Sequence, residues 1–180
     1  MDNQTKKIAG IAAAGIGVAA LAWKYFKRKP AGAEPVKSFD VKRYLGKWYE
    51  IARFDYRFEK NLKNTTARYS LNKDGSIKVV NRGYDYKHNK WKQAIGIAKF
   101  RGNQHDGNIK VSFFRPFYAG YNVLAVDPGY QYALVAGRNL NYLWLLSREK
   151  FIPRDIKESY LDKARQLGYK TANLKWVEQD

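Results

Sequence analysis

Leu45-Gly46-Lys47-Trp48-Tyr49-Glu50-Ile51-Ala52-Arg53-Phe54-Asp55-Tyr56-Arg57 is the stretch around which the chain is organised. A glycine ends one element, a tryptophan opens the next, and the following residues alternate as a strand does. Upstream, Asp40 suits the N-cap of a short helical turn over Val41 to Leu45, with Gly46 just past its end. Downstream, the pattern predicts strands at 48–55, 65–71, 77–86, 91–101, 108–115, 120–127, 131–137 and 142–148. Turn signals such as Asn72-Lys73-Asp74-Gly75 and Asp127-Pro128-Gly129 separate them. Eight strands on hairpin-length connections predict an antiparallel sandwich or up-and-down barrel, not βαβ units. One helix follows over Pro153 to Leu167, with Ile156, Tyr160, Ala164 and Leu167 on one apolar face and Gly168 beyond its end. A short strand at 174–177 pairs back onto the barrel.

The 180 residues include 14 Tyr, 9 Phe and 5 Trp but no cysteine. That excludes disulfides, thiol nucleophiles, cysteine-held metals and the acylated cysteine of a bacterial lipoprotein. His88 and His105 lie in polar turns without a second ligand at metal spacing, and no Gly-rich phosphate loop opens a helix. No metal or cofactor is called for. Glu50 and Glu59 are acids that a barrel cavity could use, but a lone carboxylate makes no active site, and no catalytic residues are expected. Net charge is +18; six of the 34 bases and two of the 16 acids fall in residues 1–36, leaving +14 on the rest. Such a charge favours anionic partners, a phospholipid surface or nucleic acid.

Residues 8–22 are uncharged and end in Ala20-Leu21-Ala22, while Lys24, Lys27, Arg28 and Lys29 follow. Length and small residues fit a signal peptide; the basic cluster opposes translocation and favours an uncleaved membrane anchor. The chain therefore divides into an apolar anchor or signal helix at 1–26, a linker at 27–37 and a barrel domain at 38–180.

An eight-strand barrel is just wide enough to hold one small ligand. Strand 142–148 is apolar on both sides, so one side faces inward and the helix covers the other. Ala94-Ile95-Gly96-Ile97-Ala98 puts small residues on one face, leaving room inside.

Gly46-Lys47-Trp48 resembles the G-x-W signature of the lipocalins. Asp127 to Val135 and Tyr142 to Arg148 resemble that family's second and third conserved regions. Asp55 to Glu59, Val80-Asn81-Arg82-Gly83 and Lys110 to Tyr118 resemble the bacterial lipocalins, the outer-membrane lipoprotein group close to apolipoprotein D. The resemblance covers about residues 37–180. It implies a mainly-β fold, an eight-stranded calyx with one helix packed outside. It also implies that Trp48 closes one end with Arg148 stacked over it, beside Gly46. By the same similarity Tyr69, Asn81, Phe113 and Trp144 point inward; alternation adds Val79 and Val111, and parity from Trp48 adds Ala52 and Phe54. Phe58 leads to the open end. The expected function is non-catalytic binding or transport of a fatty acid, lysophospholipid or similar lipophile at a bacterial membrane, with a homodimer left open. A barrel binding single-stranded nucleic acid, or a calyx enzyme acting on a lipid or isoprenoid, are the alternatives.

Overall fold

The computed structural model of the chain describes residues 29–55 and 60–180. The expected N-terminal helix over 1–26 and Phe58 lie outside the described residues. Among those residues no helix is long and apolar enough to cross a membrane.

The described chain opens with a one-turn helix, α1 (Val41–Tyr44), which Asp40 caps by accepting from the Lys42 and Arg43 amides. Nine strands follow: β1 (Gly46–Phe54), β2 (Leu62–Leu71), β3 (Ile77–Asp85), β4 (Lys90–Phe100), β5 (Asn108–Phe114), β6 (Phe117–Val126), β7 (Tyr132–Ala136), β8 (Leu143–Ser147) and, after helix α2 (Arg154–Gln166), β9 (Leu174–Trp176). Each of β1 to β8 pairs antiparallel with its neighbours, and β1 pairs with both β8 and β2, which closes the eight-strand barrel. Closure leaves β9 as an edge, and the β4–β5 pairing covers Ile97–Phe100, so the first half of β4 stands free on that side. Two strands start three residues earlier than the sequence predicts, β2 at Leu62 rather than 65 and β6 at Phe117 rather than 120. Phe114 pairs with Phe117 across the two-residue turn Arg115-Pro116, so pairing runs to the tip of this hairpin.

Buried side chains form two clusters on opposite faces of the wall. One holds Tyr160, Leu161 and Ala164 of α2 against Leu124, Leu134, Leu143 and Leu145. The other holds Trp48, Val79, Ala98, Ile109, Val123, Val135 and Leu146, one face of each strand they belong to, and is the barrel interior. Strand β8 thus sends Leu143, Leu145 and Ser147 to the helix and Trp144 and Leu146 inward.

The upper half of β1 breaks this alternation. A bulge lies between Glu50, opposite Leu146, and Ala52, opposite Leu145. Glu50 keeps the inward parity of Trp48; the extra residue turns Ile51 and Ala52 to the helix side together and brings Arg53 to the interior beside it. Strand β9 takes β2's place beside Ala52–Phe54. Gln179 just beyond it donates to the carbonyls of Glu50 (2.8 Å) and Thr65 (3.0 Å), pinning the gap between β1 and β2.

Candidate functional site: the barrel interior and its mouth

Trp48 lies at one end of the interior, fully buried, and its indole N–H donates to Tyr44 O at 2.8 Å. Arg148 sits over its ring at 3.9 Å. The guanidinium donates to four backbone carbonyls, those of Tyr130, Lys47, Arg43 and Leu45, at 2.8–3.2 Å. Gly46 makes room for it: its φ is +97°, and a Cβ there would stand 3.3 Å from Arg148 Nη1. Phe39 and Tyr44 pack around the indole from the α1 side.

Just above, three phenols join. The Tyr121 hydroxyl lies 2.7 Å from that of Tyr44 and 2.8 Å from that of Tyr69. Burial pushes the Tyr44 and Tyr121 phenols well above their ordinary pKa, with each other's or Tyr69's charge as the second cause. A raised folded-state value means that folding retains the proton. Stability is therefore complete below the unfolded phenol value of about 10 and falls as pH rises through it towards the folded value. In an alkaline titration followed by phenolate absorbance, these two tyrosines are expected to ionise only as the fold opens. Tyr121→Phe removes the shared partner of two half-buried or buried hydroxyls and is expected to cost about 1–3 kcal/mol in urea unfolding. An unchanged midpoint would mean that the three phenols are not coupled.

Higher on the wall, Asn81 is in register with Ala67 and Ala94, and Val79 with Tyr69 and Gly96. Since Ala67 also faces Trp48, all of these look inward. Asn81 Oδ1 and Thr65 Oγ1 are buried with no hydrogen-bond partner among the described residues. Val111 faces Ala98 and Ala119 on the same side. Trp144 is in register with Arg53 and Val135 and stacks on Tyr142, with ring centroids 6.2 Å apart. Phe113 lies over Gly96: a Cβ on that glycine would be 2.8 Å from the phenyl ring, so only glycine admits it.

Exposure along these inward faces is graded. On β4 it rises from Ala98 (4%) through half-buried Gly96 to exposed Ala94, and on β5 from Ile109 (3%) to Phe113 (44%). On β6, Val123 is sealed and Ala119 exposed. The interior is thus closed at Trp48 and reached by solvent on the β4–β6 side of its other end.

Two of the expected wall residues belong elsewhere. Ala52 is buried under α2, and Phe54 stacks on Tyr169 beyond the wall, centroids 6.0 Å apart. The bulge reversed the parity that put them inside. In their place the interior holds an ion pair: Arg53, fully buried, donates to Glu50 Oε1 at 2.5 Å and to Leu62 O at 3.3 Å. Glu50, the acid a calyx enzyme would have used, is held as this arginine's counter-ion. At the rim, Asp85 takes Lys92 at 2.6 Å and His88 at 2.8 Å. The Lys92 ammonium holds its carboxyl well below the usual carboxylate range.

A closed antiparallel barrel, sealed at one end, open at the other and flanked by one helix, is the architecture of a calyx protein. Comparison gives its family. Residues 39–179 match the lipocalin-like domain. Over 150 residues the chain is 48% identical to outer membrane lipoprotein Blc of Escherichia coli K12, covering 83% of this chain and 85% of that one. It is 36% identical over 126 residues to rat apolipoprotein D, 65% of each chain. Among solved structures, insecticyanin of the tobacco hornworm Manduca sexta superposes with a TM-score of 0.67 at 17% identity, covering 85% of this chain and 87% of that one. The chain belongs to the lipocalin family.

Proposed function

We propose that the protein binds a small lipophile, a fatty acid, lysophospholipid or related lipid, inside its barrel near a bacterial membrane, and that it catalyses no reaction. The observation that carries this reading is the graded exposure of the inward faces, from a sealed Trp48 to an open mouth on the β4–β6 side. Tyr69, Val79, Val111, Phe113 and Trp144 offer apolar wall. Asn81 Oδ1 offers a buried acceptor without a partner, and a mostly apolar pocket with a few polar handles suits a lipid. The family and the envelope-associated names of its relatives support the membrane setting. With no cysteine to acylate, residues 1–26 are the proposed attachment.

Native mass spectrometry with lipid extraction, on protein purified from its own host, is expected to show one lipid per chain. In parallel, adding a fatty acid or lysophospholipid below its micelle concentration should change the intrinsic tryptophan fluorescence. Trp144→Phe should remove most of that change, because Trp144 is the wall indole. No co-purifying lipid together with no fluorescence response would overturn the proposal.

A further inference from the structure

We infer that the rim of the open end is a docking surface for an anionic phospholipid bilayer, with the β5–β6 hairpin tip entering the headgroup region. The inference deepens the lipid-carrier reading and rests on it for its purpose: a mouth set against a bilayer exchanges lipid without carrying it through water.

Three observations carry it. The first is the tip itself. Phe114 and Phe117 are 77% and 71% exposed, the two most exposed of the large hydrophobic side chains among the described residues. They are partners in register and flank Arg115-Pro116. Two phenyl rings held in water by a regular hairpin are unexplained by the fold, which gains nothing from them, and an exposed apolar patch of this kind marks an interaction site.

The second is the position. The tip lies beside Phe113 and Ala119, where the inward faces become solvent-exposed, so the rings stand at the aperture and not on a remote wall. The third is charge. The connections at this end and the start of β4 carry exposed Lys60, Lys87, Lys90 and Arg115, and half-buried Arg138. Their described acids are Asp55 and Asp85, and Asp85 is buried and already neutralised by Lys92. The turns at the Trp48 end mix signs, with Asp74, Asp106, Asp127 and Glu149 among their lysines. Aromatic rings ringed by bases are complementary to an interface of acyl chains under anionic headgroups, each base adding attraction near such a surface.

The absence of cysteine allows the full chain to be labelled at a single site. Phe117→Cys and, at the opposite end, Lys73→Cys are each coupled to an environment-sensitive fluorophore. Vesicles of phosphatidylglycerol or of phosphatidylcholine are then added. The label at 117 is expected to shift to the blue with phosphatidylglycerol, less with phosphatidylcholine, and to return in high salt; the label at 73 stays unchanged. Phe114→Ser, with the label kept at 117, is expected to weaken this response by about tenfold, as loss of one buried phenyl does. Leu71→Ser at the other end should leave it alone. Vesicle-bound protein with an unshifted 117 label, or equal shifts at both ends, would overturn the inference by assigning attachment to another part of the chain. A shift at 117 that grows with protein concentration without vesicles would assign the patch to a second copy and overturn it too. Lysophospholipid binding by tryptophan fluorescence separates the two readings: retained binding without docking removes only this inference, and docking without binding removes only the carrier.

Discussion

Arg53→Met is expected to destabilise the barrel by about 3–5 kcal/mol, read as a lower urea midpoint with an unchanged slope. Arg53 is wholly buried and Glu50 is 7% exposed. Removing the guanidinium leaves a carboxylate in a low-dielectric interior without the partner it has at 2.5 Å, and desolvating an unneutralised charge costs several kcal/mol. The paired change Glu50→Leu with Arg53→Met is expected to recover most of the loss, because two apolar side chains of similar volume need neither solvation nor a counter-ion. The double-mutant cycle should therefore show a coupling larger than any exposed ion pair on this surface gives. If Arg53→Met costs less than about 1 kcal/mol, the pair is not a buried ion pair of the folded state.

That pair shows where the sequence stops being readable. In a regular strand, residues three apart point to opposite faces, so alternation separates Glu50 from Arg53. It likewise sends Ala52 and Phe54 inward with Trp48. One extra residue at the bulge reverses Ala52, Arg53 and Phe54 while Glu50 keeps the inward parity of Trp48, and nothing in Glu-Ile-Ala-Arg announces it. The signal available was an arginine amid apolar residues at the centre of a strand, where an unpaired charge has no place. The strands themselves, the helix and its apolar face were legible because turn residues and alternation are local. Asp40's cap was legible for the same reason.

The tyrosine cluster was hidden for a different reason. Tyr44, Tyr69 and Tyr121 come from α1, β2 and β6, 25 and 52 residues apart along the chain, and only barrel closure brings their hydroxyls within 2.8 Å. No periodicity in a single segment carries that information. The Asp85–Lys92 pair was more accessible. Strands β3 and β4 form a hairpin, and once the turn at 86–89 is fixed, Lys92 must stand opposite Gly83, two pairs from Asp85 and on its face of the sheet. The exposed ring of Phe114 could not be told from a core residue by composition, since it sits in a run that reads as strand, and Phe117 fell in the connection read at 116–119 and not in the strand it opens. Their exposure follows from how far the hairpin extends past the barrel wall.

Trp48→Ala is expected to remove about 3–5 kcal/mol, a fall of roughly 10 °C in melting temperature for a domain of this size. The indole is fully buried, it satisfies Tyr44 O through its N–H, and its ring is the floor on which Tyr44 and the phenol chain rest. Arg148→Ala attacks the same floor from outside. It deletes the cation over the indole, worth about 1–2 kcal/mol where partly desolvated, and four hydrogen bonds that tie α1, the start of β1 and the β6–β7 turn together. Arg148→Lys keeps the charge but not the planar fork, so it cannot reach four carbonyls at once and should recover less than half of the loss. Because both side chains act on one joint, the Trp48→Ala and Arg148→Ala losses should sum to more than the double variant shows. Strict additivity, or a melting temperature unmoved by Trp48→Ala, would mean that the barrel is closed by something other than this pair.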